Sequence, residues 1–104
     1  MTPQDVLLKA ADLFETVGWQ QRTYGDHVNG YCALGAVSQV VWGDPLGPRD
    51  WDMDSQVFNV KVNLQGDALI LLPGHIKGGS VTQWNDRSRR TKKSVIETFR
   101  KAAA

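Results

Sequence analysis

The sequence predicts an α+β fold of three helices, with a buried central helix packed against a small β-hairpin or short antiparallel sheet; all-α is the alternative. Three observations carry this. Residues 30–43 are apolar at almost every turn and bracketed by glycines, leaving only Ser38 and Gln39 plainly polar, so this helix needs cover on most of its circumference. Amphipathic stretches lie near both ends of the chain. Between them, residues 58–64 alternate strictly, with Phe58, Val60, Val62 and Leu64 on one side and Asn59, Lys61 and Asn63 on the other, the pattern of a half-buried strand.

At 104 residues the chain fits one domain with a single core of modest size. The longest aliphatic run, residues 68–72, is too short to span a bilayer, so no membrane association is expected. The N-terminus lacks the basic start and apolar run of a secretory signal, and a cytoplasmic setting follows as the expectation. One cysteine excludes an intrachain disulfide and a thiolate zinc site. The net charge of +1 hides an asymmetry: residues 1–86 sum to −5, whereas residues 87–104 carry 7 Lys+Arg against 1 acid. Such polarity steers a partner or docks the tail on the body.

Each element has a local cause. Thr2 is placed as N-cap, Pro3 where a missing N–H costs nothing, and Asp5 as the acid of a capping box. The helix they start should run to about residue 17, with Val6, Leu7, Ala10, Leu13, Phe14 and Val17 on one stripe. Gly18 stops it, and a left-handed cap there would fold Trp19 back on Phe14. Residues 20–29 read as a loop or short irregular strand, closed by Asn29 as the cap of the central helix. In that helix Cys32, Gly35 and Ala36 form a ridge of small residues that lets a neighbouring backbone approach, and Gly43 ends it. Residues 44–54, dense in Pro, Gly and Asp, predict a surface loop of the kind that carries function. Residues 58–64 and 68–72 make a hairpin about the turn at 65–67, although Leu and Ala in the second run also favour a helix. Pro73-Gly74 and Gly78-Gly79 are turns, residues 80–84 a short strand, and Thr91 the N-cap of a last helix burying Val95, Ile96, Phe99, Ala102 and Ala103.

Two stretches carry a family resemblance: Gly-Tyr-Cys-Ala-Leu-Gly-Ala-Val at residues 30–37 and Trp-Asn-Asp-Arg-Ser-Arg-Arg-Thr-Lys-Lys-Ser-Val at residues 84–95. With the amphipathic first helix and its Gly-Trp-Gln end, the chain resembles small actinobacterial and actinophage proteins grouped as domain of unknown function 6197. The likeness covers both ends and the centre. Residues 44–79 depart from it, because family members carry an Ala/Leu-rich helical stretch where this chain alternates, and Ser94 stands where an acid would complete the capping box of Thr91. The resemblance implies no activity.

Candidate chemistry is sparse. Cys32 falls in the first turn of a helix, where unpaired N–H groups favour a thiolate, and His27 lies five residues upstream beside Asp26. A cysteine-dependent hydrolase or transferase is therefore one reading, and a small buried thiol the plainer one. Asp50, Asp52 and Asp54 alternate like calcium ligands, but Ser55 replaces the required glycine and Lys61 the bidentate glutamate, so no metal is expected. His27 and His75 form no metal motif, no phosphate-binding loop is present, and no cofactor is implied. Trp84, Asn85 and Asp86 are either a recognition edge or a structural corner.

The favoured function is a small non-catalytic accessory protein that binds a protein partner, with Trp51 on its loop as an exposed anchor. Nucleic acid is the less favoured partner: Arg87, Arg89, Arg90, Lys92 and Lys93 crowd the positive end of the last helix, where cations oppose the helix dipole and an anion would be welcome. The plainer account pairs these cations with Asp44, Asp50, Asp52 and Asp54. The sequence leaves the oligomeric state open.

Overall fold

The computed structural model describes residues 1–49, 53–72 and 80–104. Asp50, Trp51, Asp52, His75 and the turns at 73–74 and 78–79 lie outside the described residues. Within them are five helices and one two-stranded antiparallel sheet: α1 (Pro3–Thr16), β1 (Gly25–Asp26), β2 (Gly30–Tyr31), α2 (Ala33–Trp42), α3 (Ser55–Ile70), α4 (Val81–Asn85) and α5 (Lys92–Ala102). The fold is mixed α+β, with five helices rather than three. No described helix is long and apolar enough to cross a membrane.

α1 begins as its sequence dictates. Asp5 N–H donates to Thr2 Oγ1 at 3.1 Å while Thr2 N–H donates to the Asp5 carboxylate at 3.0 Å. Its inner face, Val6, Leu7, Ala10, Ala11 and Phe14, packs chiefly against α5 and α2. Phe14 meets Phe99 edge to face at 5.0 Å, the geometry that sets one ring's positive edge on the other's negative face.

α2 is the buried centre: none of its ten residues is exposed. It starts later than the sequence predicts, because Gly30 and Tyr31 pair with Gly25 and Asp26 as β2, leaving Cys32 rather than Asn29 as N-cap. Asn29 instead donates its N–H to Asp26, closing the turn between the strands. The small ridge does admit a backbone: a Cβ on Gly35 would lie 1.9 Å from the carbonyl oxygen of Tyr24. Gly43 ends the helix in the left-handed conformation, φ 77°.

The predicted hairpin over residues 58–72 is instead α3. Asp54 starts it, its carboxylate accepting the N–H groups of Gln56 at 2.8 Å and Val57 at 3.4 Å. Its inner positions include Lys61, Leu64, Gln65, Ala68 and Leu69, spaced as a helix requires, with Leu72 just beyond its end in the core, and tertiary contact with α2 and α1 overrides the alternation at 58–64. Residues 80–84, predicted as a strand, contribute to the short helix α4, capped by Ser80 Oγ on Gln83 N–H at 3.0 Å. Trp19 follows the turn at Gly18, whose N–H donates to Leu13 O, and packs against the core. It forms a parallel bridge with Tyr31 and sends its indole towards α4.

Candidate functional site

Trp84, Asn85 and Asp86 form a corner that ties α4 to the segment between α1 and β1. Asn85 is fully buried. Its Oδ1 accepts Trp19 Nε1–H at 2.7 Å and Ala33 N–H at 2.9 Å, and its Nδ2 donates to Gln20 O and Asp86 Oδ1, both at 3.0 Å. Gln21 Nε2 bridges the carbonyls of Asn85 and Arg87. Asp86 Oδ1 also accepts Arg22 N–H at 2.9 Å, which fixes Arg22 in the left-handed conformation, φ 64°. Arg90 lies 4.4 Å over the Trp84 ring and donates Nε–H to Trp84 O; burial lowers its pKa, with the nearby Arg87 charge adding to the effect. Trp84, Asn85 and Arg90 are therefore committed inside the protein.

Beside this corner is a cleft of about 540 Å³, lined by Arg22, Thr23, Tyr24, Cys32, Thr82 and Asp86. Cys32 is 2% exposed, and its Sγ accepts the N–H of Gly35 at 3.2 Å. Burial pushes its thiol up, the Asp86 charge adds to this, and the N–H groups of Gly35 and Leu34 oppose it without prevailing. His27 does not join it: it is exposed and lines a separate hollow with Asp26, Gln39, Asp44 and Arg49. Among the described residues no three His, Cys, Asp or Glu side chains converge as metal ligands. Among the described residues the cleft thus offers a neutral thiol, hydroxyls, one guanidinium and one carboxylate.

A family model matches the chain over residues 1–104. The chain belongs to DUF6197, a family of unknown function. Comparison with curated proteins and with solved structures gives no match.

This DUF6197 chain has a second concavity, a groove of about 360 Å³ between α2, the 45–48 loop and α3. Trp42 anchors it, donating Nε1–H to Gln65 Oε1 at 2.6 Å and meeting Phe58 at a 5.5 Å ring separation. Tyr24, Leu46, Phe58 and Val62 surround it and are 48%, 64%, 39% and 43% exposed. Sequence reasoning missed this groove, although Phe58 and Val62, four residues apart, share one side of a helix.

The basic residues divide. Arg90 is engaged, whereas Arg87, Arg89, Lys92 and Lys93 are exposed and make no ion pair among the described residues. Asp44 pairs with Arg49, and Asp54 caps α3, so neither neutralises that cluster. Thr91 caps α5 as expected, and Ser94 completes the box with its hydroxyl in place of an acid.

Proposed function

We propose that the chain is a small non-catalytic protein-binding module, of a kind carried by actinobacteria or their phages, that seats apolar side chains of its partner between α2 and α3. The observation that supports this is the concentration of exposed Tyr24, Leu46, Phe58 and Val62 around one groove with a fixed Trp42. Apolar patches around a pre-formed hollow are what partner anchors fill. A catalytic role for Cys32 has less support, since its thiol is pushed up and no described histidine lines its cleft.

The test uses Leu46→Asp and Val62→Asp, both at exposed positions that leave the core intact. Affinity capture from native cytosol with the intact protein should retain a partner at near-equal stoichiometry. Each substitution should weaken the purified complex about tenfold, the loss of roughly 1.4 kcal/mol expected at an interface anchor. A partner bound equally by wild type and both variants would sink the groove.

Arg87, Arg89, Lys92 and Lys93, exposed and without an ion pair among the described residues, favour a second reading, polyanion binding. Fluorescence anisotropy with DNA and RNA separates the two: phosphate contact requires affinity that falls steeply with salt and drops when Arg89, Lys92 and Lys93 become alanine.

A further inference from the structure

The cleft beside Cys32 is distinct from the groove, and its chemistry points elsewhere. Its two charged lining residues, Arg22 and Asp86, have opposite sign, yet they make no ion pair with each other. Asp86 Oδ1 is occupied by Arg22's own backbone N–H and by Asn85 Nδ2, while among the described residues Oδ2 accepts nothing. The guanidinium of Arg22 likewise donates to no described residue. Arg22 lines the cleft from a left-handed conformation, φ 64°, that a glycine would hold at less cost. Thr23, Thr82, the Cys32 thiol and the Tyr24 ring supply the remaining walls.

Simpler ligands fit less well. At the N-terminus of α2 three amides are already engaged, Ala33 N–H on Asn85, Gly35 N–H on Cys32 Sγ and Ala36 N–H on Cys32 O, and Leu34 N–H faces Cys32, so a lone anion finds little there. A lone cation would find one carboxylate beside a guanidinium. A ligand bearing both charges satisfies both groups at once.

We propose that this cleft binds a small zwitterion, a free α-amino acid or a dipeptide, with its carboxylate on the Arg22 guanidinium and its ammonium on Asp86. The volume of about 540 Å³ lies within the range of small-molecule sites, roughly 300 to 1,000 Å³. The uncharged part of the ligand meets Tyr24 and the neutral Cys32 thiol, and binding involves no covalent step. The proposal stands apart from the groove reading, and either can fail alone.

The intact protein labelled with ¹⁵N is titrated with free L-amino acids and with simple dipeptides, and the two arms decide which size fits. The expected result is saturable shifts at Arg22, Cys32, Thr82 and Asp86, with at least one ligand binding below about 10 mM. The matching N-acetyl and carboxamide forms, each lacking one charge, should bind at least tenfold more weakly. Arg22→Gly should lose binding to the same degree while folding at least as well, because glycine relieves the left-handed strain. Asp86→Asn keeps the Oδ1 acceptor and should also lose binding. No saturable shift with any zwitterion would overturn the proposal, as would equal binding of the singly charged analogues or undiminished binding to Arg22→Gly.

Discussion

Asn85 uses all four of its side-chain hydrogen-bonding positions inside the protein, two as acceptor and two as donor. Asn85→Ala would leave the Trp19 indole N–H and the Ala33 N–H without their acceptor, and each orphaned donor costs about 1–3 kcal/mol. A total loss of about 2–4 kcal/mol is expected from urea unfolding. Asn85→Asp keeps Oδ1 but turns a donor into a charged oxygen facing Gln20 O and Asp86, so it should also destabilise. A loss below about 1 kcal/mol for the alanine variant would remove Asn85 from this role. Cys32 shows a contest that sequence alone leaves undecided. A helix N-terminus favours the thiolate and burial favours the neutral thiol, and with Cys32 2% exposed burial prevails and pushes the thiol up.

At the scale of elements, what was legible was what local chemistry determines. The capping box at Thr2, the N-cap at Thr91, the left-handed stop at Gly43 and the buried stripe of α1 all follow from neighbours within a few residues. What was not legible depended on distant partners. Residues 58–64 alternate, but the shape of α3 is set by Ala68 and Leu72 reaching the core and by Trp42 meeting Phe58 and Gln65 from another helix. Asp54, whose spacing from Asp50 and Asp52 drew attention to calcium, was the available signal for a helix start. The cleft brings Arg22 and Asp86 together from distant parts of the chain, which no short window of sequence reveals. Two glycines in helices now separate. Gly66 in α3 has nothing within 4 Å of an added Cβ, so Gly66→Ala should stabilise by about 0.5–1 kcal/mol and raise Tm by a few degrees. In α2, Gly35→Ala would drive a methyl into the Tyr24 carbonyl and should destabilise by about 1–3 kcal/mol despite the gain in helix propensity. Thermal unfolding of the two variants checks both; a shift of the same sign would refute the packing of α2 against the Tyr24 backbone.

The whole molecule closes where α5 packs on α1. Arg100 bonds Glu15 at 2.9 Å and reaches Asp12 at 3.5 Å, so part of the basic tail docks on the acidic body. Three carboxylates across the molecule are held below their ordinary range: Asp5 by hydrogen bonds from Thr2, Glu15 by its bond to Arg100, and Asp26 by the backbone N–H groups of Asn29 and Val28. A depressed pKa in the folded state gives stability that is complete above the unfolded value and lost as pH falls through the folded one. Urea midpoints should therefore stay level from about pH 7 to 5 and fall in the acid range below the ordinary carboxylate values. Asp26→Asn, which keeps an acceptor for the two N–H groups, should flatten that acid limb; an unchanged limb counts against the Asp26 contribution. The corner at Asn85 also bears on the order of synthesis. Asn85 lies 52 residues beyond Ala33 and 66 beyond Trp19. At roughly 5–20 residues per second the ribosome makes Asn85 about 3 to 10 s after Ala33. Until then the nascent Trp19 indole and the first amide of α2 lack this acceptor, so the latch between them is made only after both of the elements it joins.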